Sequence, residues 1–546
     1  MRKSIDFAFA TLMLVLFTLS GCKRTQGRGA QASKTPAPAG AVSLRIVHDP
    51  TLTPLLTRIK ERFEGFNPVL SDGSRVRLEL LERLGVQAAD EISSGKLKVD
   101  AWLSPSQSLT NYAGYRIRNL GAKQIECREM FGSPVVVAAH PKAAAALGLA
   151  SRQLDLEMLL SRGKEAVPAL ILNHSLPNES QTGFAALIEL AYAAQADSGK
   201  VLTNASLTAP ATVERLKRFE QLVAEYGVNT LELLEKSAAA PVYTMALTLT
   251  TEQQLVAFNL ARPGKEPLLA LYPKQGSYWL NYSLCRSDAD WVTSERLAAY
   301  KLFTTYLASE QIQSEVLERG FRPSRVGSLS APLTPENGVT PNLPDRLLMP
   351  LSGELVAQLL GLWPSVKRPA AAVLVLDTSG SMQGDTLRVV QGQAVNFIRS
   401  LPPADRAAVV TFSGNASVAS GLTDDKARLT QLIEGLEAAG GSALYDAVNA
   451  AMQIFSQAQL PDYRKAMLLV VDGRDTNSMI NLPLALSTLE NTARQHHLQL
   501  VVVGIKSDEY DPAALKDMVE AVNGSYRETS REQLYEALQE ALRGIA

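Results

Sequence analysis

The sequence predicts an α/β protein built from more than one folded unit, on three observations. Strand-like and helix-like stretches alternate from residue 42 almost to the end of the chain. The stretch 371–376 is apolar at every position, the mark of a strand at the centre of a parallel sheet. About 46% of residues are apolar and 20% charged, enough for real cores, and 546 residues allow two or three domains at roughly 100–200 each. Lys plus Arg (54) nearly cancels Asp plus Glu (55), so no basic field points to nucleic acid or to a membrane-surface helix.

Taken in order, Arg2 and Lys3 precede an apolar run over 7–19 that has signal-peptide length and is too short to span a bilayer. It ends in Leu19-Ser20-Gly21-Cys22, which resembles a bacterial lipobox. The resemblance implies a signal peptide over 1–22, lipidation at Cys22, and contact with the membrane through that anchor alone. Lys23, in place of an Asp, implies the outer membrane if the host is Gram-negative. Residues 23–41 are rich in Gly, Ala, Pro, Ser and Thr and read as a flexible tether.

From 42 the pattern is strand 42–47, helix 54–63, strands 76–81, 99–103 and 133–139, and an apolar helix over 183–194. The order of Asp100-Ala101-Trp102-Leu103-Ser104, Gly132-Ser133-Pro134-Val135, Gln181-Thr182-Gly183-Phe184, Leu271-Tyr272-Pro273-Lys274 and Gly320-Phe321-Arg322-Pro323 resembles a type II periplasmic solute-binding protein over 42–325. The resemblance implies two α/β lobes, two crossover strands and a cleft for a small molecule. Loops after strands then supply the candidate ligand contacts Asp49, Thr51, Ser104, Ser106, Ser133, Thr182 and Thr251, with a ligand bridging Ser104 or Ser106 to Thr182. Cys127 and Cys285 are an even pair in an oxidising compartment, open to a disulfide or to two buried thiols. The resemblance places them on the two crossover segments, side by side, and so implies the bond.

Residues 326–350 are Ser-, Pro- and Asn-rich, and 353–363 form a short amphipathic helix; together 326–368 read as a linker. The last domain, 369–546, carries strands 371–376, 407–412, 466–471 and 498–505. Helices follow over 386–400, 425–437, 443–455, 484–495, 512–522 and 531–542. This is a doubly wound (Rossmann-like) sheet, in which ligands bind at the carboxyl ends of strands.

At those ends stand Asp377-Thr378-Ser379-Gly380-Ser381, Gly440-Gly441-Ser442 and Asp472-Gly473. Two carboxylates and three hydroxyls are hard oxygen donors, suited to Mg²⁺, Mn²⁺ or Ca²⁺ rather than Zn²⁺. The set resembles the metal-ion-dependent adhesion site of von Willebrand factor A domains. By that resemblance Ser379 and Ser381 ligate the metal, most often Mg²⁺, and Ser442 takes the family's Thr position. Asp377 and Asp472 bind directly or through water, and a carboxylate from a protein partner fills the open position. Asp446 reads as a helix-turn residue beside the site. No phosphate loop, His-Glu-x-x-His or Gly-x-Ser-x-Gly motif points to catalysis. The expected function is that of a lipid-anchored extracytoplasmic binding protein that grips a partner through a metal-bridged carboxylate. The alternative is a solute-capture receptor of an ABC-type importer, with the last domain as its docking module.

Overall fold

The computed structural model describes residues 40–117, 121–149, 151–162, 169–197, 199–240, 244–324, 330–507 and 510–545. The signal segment, Cys22 and all but the last two residues of the tether lie outside these. The first strand, Ala41–His48, pairs in parallel with Arg75–Glu82 on one side and Ala101–Ser104 on the other. Its Leu44, Ile46 and Val47 are buried against Leu55, Ile59 and Phe63 of helix Thr53–Gly65, the face that helical spacing marks in the sequence.

Two long strands carry the chain between the lobes. Lys123–Ala139 and Ser277–Asp288 run antiparallel from Trp279 opposite Pro134 to Asp288 opposite Lys123, with two shifts of register between Tyr282 and Arg286. Their outer halves join the first lobe beside Ala101–Ser104; the other end of Lys123–Ala139 pairs with Thr244–Thr251, which continues to Ala169–Ser175 and Val223–Gly227 in the second lobe. Cys127 and Cys285, on these two strands and 158 residues apart in sequence, are joined as a disulfide. Helix Gln181–Ala194 is buried over its whole length.

The stretch read as a linker does not behave as one. Leu333 and Val339 are buried against Val256 and Leu268, and Leu347–Leu348 adds a short strand to Ser277–Asp288. The helix Gly353–Val366 packs its Leu355, Val356, Leu359 and Trp363 into the core of the first module, beside helices Gln107–Arg116 and Pro210–Gln221. A Cβ at Gly353 would lie 2.2 Å from the Asn111 carbonyl, so the contact needs glycine. Isolated apolar residues at irregular spacing have no period to betray them, which is why composition alone suggested a linker.

The C-terminal sheet has six strands in the order Ala416–Thr423, Arg406–Phe412, Ala370–Asp377, Arg464–Val471, Gln499–Ile505, Ser525–Thr529. All neighbours are parallel except the first pair. Alternate residues feed two cores. Leu374 and Leu376 meet helices Asp385–Ser400 and Leu534–Ile545 on one face. Val373 and Val375 meet Leu444–Gln457 and the helices after it on the other.

One aromatic residue, Tyr226, sits at the middle of the joint between the two modules. The Tyr226 ring lies edge-on to His174 and Trp363 and beneath the Arg464 guanidinium, whose centre is 4.6 Å from it. Its hydroxyl donates to Glu220 (2.6 Å) and accepts from the Arg368 backbone N–H (2.9 Å). The Arg368 side chain donates across the joint to the Val223 carbonyl at 3.0 Å, and Gln499 Nε2 donates to Glu225 at 3.2 Å.

Candidate functional site

Three loops meet at the carboxyl edge of the C-terminal sheet. The first follows strand Ala370–Asp377, and the Thr378 N–H and hydroxyl both donate to the Phe412 carbonyl. The second, over 438–443, is stitched to it: Gly380 N–H donates to the Gly440 carbonyl and Ala439 N–H to the Thr378 carbonyl, both at 2.9 Å. Gly440 has φ +82°, and a Cβ on Gly441 would lie 2.0 Å from Asn477 Oδ1, so this pair of glycines lets the third loop close in. That loop, over 472–481, sends the Thr476 and Asn477 N–H groups to the Ser442 carbonyl (2.8 and 3.0 Å). Ser442 N–H answers by donating to Thr476 Oγ1 at 2.9 Å.

The knitting brings Asp377, Ser379, Ser381 and Asp472 together and puts Ser442, the fifth predicted donor, on the adjoining loop. Asp377 Oδ1 accepts from Ser379 N–H (2.8 Å), and Oδ2 is 3.4 Å from Asp472 N. The Ser379 and Ser381 hydroxyls are 3.0 Å apart, and Ser381 donates to Asp472 Oδ1 at 2.7 Å. These separations match the ~2.9 Å between adjacent oxygens around an octahedral ion with bonds of about 2.0–2.1 Å. Both carboxylates are fully buried, and the buried Ser442 Oγ has no hydrogen-bond partner. Burial pushes the Asp377 carboxyl up to about 6; hydrogen bonds from Ser379 oppose that rise and the neighbouring Asp472 charge adds to it. Two buried carboxylates together with an orphaned hydroxyl form a donor set that a hard divalent cation would satisfy.

Asp446, the helix-turn residue of the sequence, fastens the third loop: its carboxylate accepts from Met479 and Ile480 N–H at 2.9 and 3.2 Å. Two residues escaped the sequence. Thr476 holds Ser442 in place, and a Thr in a polar loop carries no periodicity to single it out. Arg531 approaches Asp472 from a turn 59 residues further along the chain, a proximity visible only in three dimensions.

In the N-terminal module the seven cleft candidates lie close to their predicted loops, with their polar groups engaged locally. Ser104 Oγ donates to the Ser106 carbonyl, and Ser106 Oγ caps helix Gln107–Arg116. Ser133 accepts from Gln253 N–H, Thr251 caps Glu252–Leu260, and Thr182 donates to Gln254, so these three converge on the first turn of that helix. Asp49 Oδ1 accepts from the Thr51 N–H and hydroxyl, and Gln181 Nε2, from the other lobe, donates to that hydroxyl at 2.5 Å. Asp49 Oδ2 and Gln181 Oε1 are buried without a hydrogen-bond partner, and burial pushes the Asp49 carboxyl up to about 6.

Residues 372–543 match the family model of the von Willebrand factor type A domain. An uncharacterized protein of Synechocystis is 28% identical over 171 residues, 31% of this chain and 40% of that protein. The chain thus spans about two-fifths of the length of the curated relatives it matches. Among solved structures, a von Willebrand factor type A protein from Catenulispora acidiphila is 22% identical over 32% of this chain and 42% of its own, with a TM-score of 0.29. A periplasmic thiamin binding protein is 12% identical over 59% of this chain and 96% of its own, with a TM-score of 0.43.

Proposed function

From a von Willebrand factor type A domain carried on a bilobal module, we propose a lipid-anchored, extracytoplasmic binding protein that grips a protein partner through a divalent cation. The proposal is of binding rather than catalysis. Ser379, Ser381 and Ser442 would hold the ion by their hydroxyls, and Asp377 and Asp472 directly or through water. Mg²⁺ suits the set best, with Mn²⁺ or Ca²⁺ as substitutes. The ion would supply a Lewis-acidic position for one partner carboxylate. The observation that carries the reading is the buried, partnerless Ser442 hydroxyl on a loop stitched to the one bearing Asp377.

The test is crosslinking and capture of the full chain from detergent-solubilised envelope, in Mg²⁺ and in EDTA. A partner retained in Mg²⁺ and lost in EDTA is expected; the same set of proteins in both would overturn the reading. Anchoring is checked separately. One acyl chain binds membranes only marginally, and stable anchoring takes two or more. Cys22→Ser is therefore expected to leave the membrane fraction or to stay unprocessed, and a variant that fractionates and migrates like wild type would sink the lipoprotein reading.

A second reading has one observation in its favour. Asp49 Oδ2 and Gln181 Oε1, two acceptors from different lobes, are both buried and unsatisfied. A solute bearing N–H donors would satisfy them, as a capture receptor for an importer requires.

A further inference from the structure

The candidate metal centre already has a cation beside it. Arg531 follows the edge strand Ser525–Thr529, and its Nη2 lies 3.7 Å from Asp472 Oδ2 while donating to the Ser381 carbonyl at 3.3 Å. Asp472 is fully buried and the Arg531 side chain is half exposed, so the guanidinium reaches the centre from its solvent mouth. Lys506 and Arg388 at this edge are turned to other acids, Glu528 at 2.7 Å and Asp385 at 2.5 Å, and Arg474 on the Asp472 loop is exposed.

We propose that Arg531 is a built-in counter-cation of this centre, one that competes with the divalent metal and so sets its affinity. The inference rests on the reading of Asp377, Ser379, Ser381, Ser442 and Asp472 as a metal centre. Without metal, two buried carboxylates share one site, and the guanidinium offsets part of their charge. Once a divalent ion is bound, the same guanidinium faces a net gain of two positive charges and must give up Asp472 for solvent. Contact with Arg531 and contact with metal are thus coupled with opposite sign, and the coupling is reciprocal. No proton moves, since the guanidinium stays charged throughout. A half-exposed ion pair is screened, which limits the effect.

The experiment measures Mn²⁺ binding to the full chain in detergent, by electron paramagnetic resonance and by calorimetry. Arg531→Gln is expected to bind Mn²⁺ about two- to fivefold more tightly than wild type, in line with a pair of this exposure. Arg531→Lys keeps the charge and should match wild type in affinity. Arg399→Gln removes a charge that pairs with Glu434 on an exposed face, and should leave the affinity unchanged. A melting series gives a second readout: Mg²⁺ should raise the melting temperature of Arg531→Gln more than that of wild type. A Gln variant that binds Mn²⁺ equally or more weakly overturns the counter-cation. If neither wild type nor any variant binds Mn²⁺, the metal centre itself falls, and the two failures are told apart. Binding by the Gln variant alone is the extreme form of the competition and supports it.

Discussion

Replacing Asp377 with alanine is expected to weaken Mg²⁺ and Mn²⁺ binding about a hundredfold or more while leaving the C-terminal domain folded. The loss follows from the donor set. Asp377 is one of only two carboxylates among the five proposed donors, and the three hydroxyls bring no charge. The fold should survive because Asp377 ends a strand whose core side chains lie before it, and because its carboxylate is unfavourable where it is. Burial and the nearby Asp472 hold it up to about 6, so the metal-free centre loses stability as pH rises from about 4 to about 6. The alanine variant should therefore be at least as stable as metal-free wild type at neutral pH. Metal must displace any proton on that carboxyl, so wild-type affinity should fall as pH drops below about 6 and level off above it. Calorimetric titration across this range, with circular dichroism of the variant, checks both halves. Unchanged affinity in folded Asp377→Ala would remove the residue from the centre.

Glu189→Gln should stabilise the N-terminal module by about 3–5 kcal/mol at roughly pH 9 and by almost nothing at roughly pH 4. Glu189 is fully buried in helix Gln181–Ala194. Its Oε2 accepts from Tyr278 N–H at 2.7 Å and its Oε1 has no hydrogen-bond partner. Burial pushes the carboxyl up to about 8, with the Tyr278 hydrogen bond opposing. The folded chain thus keeps a proton that the unfolded chain releases near 4.5. Stability from this group is whole below that value and falls as pH rises until about 8. Glutamine has the same shape, can accept from Tyr278, and does not titrate. Denaturant midpoints of both proteins across the range should diverge as pH rises; parallel curves would show that Glu189 is not charged and buried together.

Much of the C-terminal domain was legible because its central strands are buried on both faces. Residues 371–376 and 466–471 are apolar without interruption, and the Asp and Ser residues that follow stand where such sheets bind ligands. The two edge strands were not. Ala416–Thr423 has only Val418 and Leu422 as large apolar residues, and Ser525–Thr529 reads Ser-Tyr-Arg-Glu-Thr. An edge strand buries too little to need an apolar pattern. The candidate donors could be placed from sequence because each is fixed to a strand end or helix start. Arg531 could not, since what brings it to Asp472 is the winding of the whole sheet. The cleft residues were found by loop position, and that position selects equally well for helix caps, the role Ser106 and Thr251 visibly have.

The joint around Tyr226 has a mechanical consequence. Arg368, Arg464 and Gln499 all stand where the parallel strands of the C-terminal sheet begin, and the proposed metal centre lies where they end. At ~3.3 Å per residue, the eight residues of Ala370–Asp377 put about 26 Å between the two. A pull from a partner held at the centre, resisted through the first module, would therefore run lengthwise along the strands. Loaded that way, neighbouring strands are sheared rather than unzipped, so the rungs between them bear tension together instead of failing one by one.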